Sequence, residues 1–325
     1  MADSPRFAAK HLTVETIVMI SRRAFLSSAA FGGSLAATGL GGKYLAVSSS
    51  TGDFILEHRP ISIPNLPRAF DGYKIGFITD LHLSVWVPEE WIIRAIDAVT
   101  ANDVDLLILG GDYILVNESS LWQNLDIVRD ERFASLNKRD AIPQIYSTVA
   151  ECFRGRVFRD GILGVVGNHD RWNSFPTFQS IFNRAPYIKI LINEEVTLSR
   201  GESSIRIFGA DDYLTGIPST PPPLPSDQPD AVRIIVSHNP DYIATLLSAP
   251  ENRFSFAMCG HTHGGQIVLP VLGPIAAQVV DERFIVGQQN LKSSTVYTSR
   301  GLGVVGLPFR YNCPAEVTIF TLRRP

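Results

Sequence analysis

A chain of 325 residues with 45% hydrophobic and 19% charged residues can bury a substantial core, which excludes global disorder. Its formal net charge of −3 carries no basic excess, so general nucleic-acid binding is not expected. The three cysteines, Cys152, Cys259 and Cys313, form neither a disulfide framework nor a C-x-x-C zinc pattern.

The chain opens with a targeting pattern. Ser21-Arg22-Arg23-Ala24-Phe25-Leu26 precedes an uncharged, Ala-, Gly- and Ser-rich stretch from Ser27 to Gly42, the layout of a twin-arginine export signal. Residues 1–47 are therefore expected to be a signal or an N-terminal membrane anchor, read by the twin-arginine export machinery. The protein would then work outside the cytoplasm or on the cytoplasmic membrane. Lys43 interrupts the apolar stretch and no clean A-x-A site stands near Ala46, so cleaved and retained forms both stay open. Residues 48–72 read as linker and edge strand, because Pro60 interrupts the alternation of 54–63. Residues 73–325 are expected to be the main domain.

Tyr73 to Thr79 is a β-rich run that stops at Asp80. Pro88-Glu89-Glu90 starts a helix with acidic residues in its first turn, and Trp91, Ile92, Ala95, Ile96 and Val99 give it one apolar face. Leu106–Leu109 and Ile162–Val166 are continuous apolar runs, as in strands covered on both faces. They end at Gly110-Gly111-Asp112 and Gly167-Asn168-His169. Between them, 117–140 is polar and reads as an insertion, followed by a helix near Ile142 to Phe153. The second half predicts strands at 196–198, 205–208, 233–236, 254–258, 266–269, 295–298 and 316–322. A Pro-rich surface loop runs from Pro218 to Pro229.

Five short motifs stand in order along this frame: Asp80-Leu81-His82, Gly111-Asp112, Gly167-Asn168-His169-Asp170, Ser237-His238-Asn239 and Gly260-His261-Thr262-His263-Gly264-Gly265. Ligands collect at the carboxyl ends of strands in α/β sheets, so motifs far apart in sequence converge in space. Carboxylate, imidazole and amide oxygen together suit hard and borderline cations. One histidine beside a glycine is more often a turn or core residue. Five such motifs in order point to a dinuclear metal hydrolase. Asp170 is read as a cap for the helix after it. Cys259, two residues before His261, is read as a buried strand residue.

The motif set D-x-H, G-D, G-N-H-D, lone H and G-H-x-H resembles that of the calcineurin-like metallophosphoesterases over residues 73–265. The resemblance implies that Asp80, His82 and His263 hold one metal, that Asn168, His238 and His261 hold another, and that Asp112 bridges them. The two divalent ions could be Mn, Fe, Zn or Mg. It implies that His169 is catalytic, contacting the phosphate and protonating or stabilising the leaving oxygen, while a hydroxide between the metals attacks. With the strand pattern, it also implies an α/β fold: a four-layer α/β/β/α sandwich of two mixed sheets. One departure stands out. Many relatives have G-D-x-x-D, whose second Asp orients the catalytic histidine, and here Leu115 occupies that position.

Arg171, Arg300 and Arg310 are candidates for binding substrate phosphate. The surrounding sequences resemble a branch containing exported or membrane-associated phosphodiesterases and enzymes similar to UDP-2,3-diacylglucosamine hydrolases of lipid A synthesis. The expected substrate is thus a phosphodiester or pyrophosphate, small or lipid-linked. The apolar stretches Leu302–Phe309 and Ile267–Ile275 would touch a membrane surface if exposed and belong to the core if buried. A phosphomonoesterase or a purple-acid-type phosphatase, the latter with Tyr113 beside Asp112 as a ligand, is one alternative. A non-catalytic metal-bearing interaction module is the other.

Overall fold

The computed structural model describes residues 48–49, 53–84, 86–116, 138–249, 251–307 and 309–325. The expected export signal at 1–47 and most of the polar insertion, 117–137, lie outside the described residues.

Two six-stranded sheets dominate. The first contains β1 (Phe54–Ser62), β2 (Lys74–Ile78), β3 (Leu106–Leu109), β4 (Ile162–Gly164), β5 (Lys189–Ile190) and, from the far end of the chain, β12 (Ala315–Arg323). The second contains β6 (Glu194–Arg200), β7 (Ser203–Gly209), β8 (Arg233–Ser237), β9 (Phe256–Cys259), β10 (Gly287–Asn290) and β11 (Thr295–Thr298). Spatial order is β1-β12-β2-β3-β4-β5 in the first and β10-β11-β9-β8-β7-β6 in the second. β2 to β5 run parallel, as do β7, β8, β9 and β11. β12 is antiparallel to β2, and β6 and β10 are antiparallel to their neighbours, so both sheets are mixed.

Residue alternation on the strands divides the core into layers. Ile75, Phe77, Leu106 and Ile108 of the first sheet pack with Ile205, Ile207, Ile234, Val236, Phe256 and Met258 of the second. The opposite faces, Leu107 and Leu109 on β3 and Ile235 and Ala257 on β8 and β9, turn outward to helices. Helices α1 (Glu89–Thr100), α2 (Lys138–Cys152) and α3 (Asn168–Phe182) cover the first sheet, and α4 (Pro240–Leu247) covers the second. The architecture is the expected α/β/β/α sandwich.

Helix α1 buries the apolar face read from the sequence, Trp91, Ile92, Ala95, Ile96 and Val99. β1 lies at a sheet edge, where Pro60 needs no partner on its open side. The 266–269 run differs from expectation. Only Val268–Leu269 is strand, paired with Gly273–Pro274 in a small hairpin outside both sheets. Val271 and Leu272 at its tip are exposed, whereas Leu302 and Val304 of the other apolar stretch are fully buried. Among the described residues, no helix is long and apolar enough to cross a membrane.

Candidate metal centre

All five motifs follow the carboxyl ends of parallel strands: Asp80 and His82 after β2, Asp112 after β3, Asn168 and His169 after β4, His238 after β8, and His261 and His263 after β9. The two sheets are stitched together there. The His261 amide donates to both Asp80 carboxylate oxygens at 3.1 Å, and the Leu302 amide, from the loop after β11, donates to the Thr79 carbonyl at 3.0 Å. Asp80, His82, Asp112, His261 and His263 all have φ between 48° and 70°. Residues other than Gly adopt this left-handed region uncommonly, with Asn, Asp and His enriched among the exceptions. The turns aim these side chains inward at a cost in backbone energy, a signal that residue types alone do not carry.

The donor atoms converge. His82 Nε2 lies 3.1 Å from His263 Nε2, which is 3.3 Å from Asp80 Oδ1. His238 Nε2 lies 3.1 Å from Asn168 Oδ1 and 3.2 Å from Asp112 Oδ2. The same Asp112 oxygen is 3.5 Å from His82 Nε2, so it faces both groups. The ring of His261 stands 5.1 Å from that of His238, and its Nε2 is buried without a hydrogen-bond partner among the described residues. Asp80, His82 and His263 form one set whose ligand atoms are close enough to hold a metal, and Asp80, Asp112 and His238 form another.

Electrostatics fit cations at this place. Burial drives His82 and His261 down to about 3, and takes His263 well below the ordinary histidine value, so all three are neutral donors at pH 7. Burial also works against a charged His238, yet the Asp112 and Asp80 carboxylates carry it up to about 10. For Asp112, burial would raise the pKa, but His238 and His169 hold it well below the usual range. Burial lifts Asp80 to about 6 despite the pull of His238. The Gly110 carbonyl only accepts, so His238 Nδ1 at 2.8 Å donates to it, and Nε2 is the atom turned to Asp112 and Asn168. A proton or a cation can satisfy that trio. An orphaned buried imidazole nitrogen on His261 is likewise answered by a cation.

Asp170 does more than cap a helix. Its carboxylate accepts the Gly167 amide at 2.9 Å, as the cap of α3, and also the Asp112 and Tyr113 amides at 2.9 and 3.0 Å. One buried side chain thereby joins the second and third motif loops. Tyr113 is fully buried with its ring 4.9 Å from Phe182 and 5.5 Å from Phe178, in the outer core. Leu115 is buried in the same core. His169 is positioned by other means. Its amide donates to Asp112 Oδ1 at 2.8 Å, and its ring is met edge-on by His82 at 4.9 Å and Trp172 at 5.1 Å.

The three arginines have protein partners. Arg171 binds Asp211, with Nη2 at 2.6 and 2.7 Å from the two carboxylate oxygens. Arg300 pairs with Glu57 and Glu316, each at 2.9 Å. Arg310 is only 1% exposed and donates to carbonyls of Arg300, Gly301, Gly303, His263 and Cys313, and its Nη2 meets His263 Nδ1 at 3.2 Å. It acts as a hub under the loop that backs Asp80, a role no sequence signal announces. Cys259 is fully buried on its strand, and burial pushes its thiol pKa up.

Residues 73–265 match the family described as Calcineurin-like phosphoesterase. The chain is 30% identical over 307 residues to phosphodiesterase YaeI of Escherichia coli (strain K12), covering 94% of this chain and 100% of that one. It is 29% identical to metallophosphoesterase YkuE of Bacillus subtilis (strain 168), covering 79% and 82%. It is 26% identical to UDP-2,3-diacylglucosamine pyrophosphatase LpxG of Chlamydia muridarum (strain MoPn / Nigg), covering 63% and 68%.

Proposed function

The chain belongs to the calcineurin-like phosphoesterase family and hydrolyses phosphoester bonds, and from that premise we propose that it is a dinuclear phosphodiesterase or pyrophosphate hydrolase. One observation carries the dinuclear part. A single oxygen, Asp112 Oδ2, faces His82 on one side and His238 on the other, at 3.5 and 3.2 Å. In this reading Asp80, His82 and His263 hold one divalent ion, Asn168, His238 and His261 hold the second, and Asp112 serves both. Manganese is one fitting ion, and iron, zinc and magnesium tolerate the same donors. Such ions supply an activated water and neutralise charge on phosphoryl oxygens.

The residues do the rest. Asp112 takes the backbone amide of His169 and so ties the acid–base residue to the metal ligands. His169 stands at the edge of the buried cluster, where its ring can reach a phosphoryl or leaving-group oxygen and give it a proton. Burial lowers its pKa, which disfavours the imidazolium, so the ring gives up a proton only where the charge of a bound phosphate restores it, and otherwise stabilises the oxygen as a neutral hydrogen-bond donor. The diester or pyrophosphate preference is supported by the names of YaeI, a phosphodiesterase, and LpxG, a pyrophosphatase. A lipid-linked or nucleotide-sugar substrate resembling UDP-2,3-diacylglucosamine follows from the same likeness. Export by the twin-arginine route, or anchoring at the membrane, is proposed on Arg22-Arg23 and the uncharged stretch after them.

The test compares bis(p-nitrophenyl) phosphate with p-nitrophenyl phosphate, with and without added Mn²⁺. Metal-dependent hydrolysis favouring the diester is expected. Preference for the monoester would move the reading to a phosphatase. Two bound metals with no hydrolysis of either would mean a narrow natural substrate or a metal-bearing interaction module.

A further inference from the structure

Trp172 stands out among the residues around the centre. His169 and Trp172 are three apart in the first turn of α3, so they share a face. Their rings meet edge to face, with centroids 5.1 Å apart at 77°. Yet the indole is 49% exposed, unlike the other aromatic rings that pack near these motifs, Tyr113 and Tyr146. A large ring left open beside the reactive histidine offers a flat surface within reach of a group bound there.

The turn that carries it is braced from behind. Arg171, its neighbour, is locked bidentate on Asp211 and lies over the Phe175 ring at 4.0 Å. Asn173 donates to the His169 carbonyl at 2.8 Å. Helical geometry then breaks at Ser174, so the turn 168–173 is a short platform with its own supports. The braced turn fixes the backbone that carries the indole, and the edge-to-face contact with His169 sets the ring against it, which lowers the entropic cost of receiving another flat surface.

We propose that Trp172 determines specificity by contacting the leaving group, and that the preferred substrates carry a planar π-system, an aryl group or a nucleobase, on the departing side. This rests on the reading of His169 as the leaving-group acid. His169 fixes where the departing oxygen lies, and Trp172, on the same helical face, meets the group attached to that oxygen.

The experiment uses the 325-residue protein loaded with Mn²⁺, and its Trp172→Ala and Trp172→Phe variants. Phenylphosphonate and methylphosphonate are titrated calorimetrically and as inhibitors of bis(p-nitrophenyl) phosphate hydrolysis. The parent should bind the phenyl compound more tightly than the methyl compound. Trp172→Ala should shrink that preference by about 3- to 10-fold, the size of one aromatic contact, while Trp172→Phe keeps most of it. Loss of affinity for both compounds alike would mean that the indole only positions His169, and would overturn the proposal. So would a parent with no phenyl preference. A parent that hydrolyses nothing but shows the Trp172-dependent preference by calorimetry would uphold the contact and sink the hydrolase reading, so the two failures are separable.

Discussion

At the scale of single residues, His238 has a testable consequence. At pH 7.5 its imidazole is charged, whereas His82, His261 and His263 are already neutral and Asp80, at about 6, is already ionised. A cation must displace the proton between His238, Asp112 and Asn168. Binding Mn²⁺ at pH 7.5 should therefore release at least one proton, from His238 and beyond it from the activated water, read from calorimetry in buffers of different ionisation enthalpy. Release should grow below pH 6, as Asp80 begins to contribute, and its His238 share should vanish above pH 10. A release of zero at pH 7.5 would remove His238 from the ligand set. Asp170→Ala supplies a second check. It leaves the buried amides of Gly167, Asp112 and Tyr113 without their acceptor. Chemical denaturation should show a loss of about 3 kcal/mol or more. A cost under about 1 kcal/mol would mean that water takes over the site. These residues differ in how visible they were. Metal donors announce themselves by type and by their position after strands. Asp170 stood in a motif, but its two longer-range partners on the Asp112 loop depend on how loops fold together. Arg310 stands out in sequence as a candidate for substrate phosphate, and its carbonyl partners are invisible there because carbonyl acceptors have no sequence signature.

At the scale of elements, the strands and α1 were legible because their periodicity is enforced by burial on known faces. The short β5 and the polar β10, Gly-Gln-Gln-Asn, were not, because sheet pairing rather than composition makes them strands. The apolar stretch 267–275, with a strand expected only at 266–269, suits either core or a membrane-facing loop by composition, and its tip residue Val271 is fully exposed. Changing Leu272 to Ser should leave thermal stability within about 0.5 kcal/mol, as for ordinary surface positions. A larger loss would show that the tip is packed in solution. The loop after β11 is the opposite case. Gly301 has φ +69°, and a Cβ there would stand 2.7 Å from the Asp80 Cβ. Gly301→Ala should displace Asp80, cost about 1–3 kcal/mol and weaken Mn²⁺ binding at least about tenfold. Unchanged affinity by calorimetry would show that the loop yields without moving the ligand.

At the scale of the whole molecule, the metals should act as a clamp between two sheets. The proposed ligands come from both, with β2, β3 and β4 on one side and β8 and β9 on the other. A ligand that binds only the folded state stabilises by mass action, about 2.7 kcal/mol at a hundredfold excess over Kd. Chelation should therefore lower the melting temperature by roughly 5–10 °C, and Mn²⁺ should restore it. A melting temperature indifferent to both would argue against a bridging role. The sandwich itself could be anticipated from the family resemblance taken together with the strand pattern, while strand ends alone said only where the ligands collect. The turn geometry that brings the ends together could not.

The left-handed turns under Asp80, His82, Asp112, His261 and His263 bear on how such a chain can change over generations. Each holds a side chain where a smaller or more permissive residue would sit more easily. Mutational drift away from the ligands thus runs downhill in backbone energy, and only selection for the reaction holds it back. Lineages released from that selection should lose these side chains to glycine or asparagine, which the left-handed turns hold more easily. They would keep the sandwich, whose core lies elsewhere, and become stable scaffolds with an idle centre.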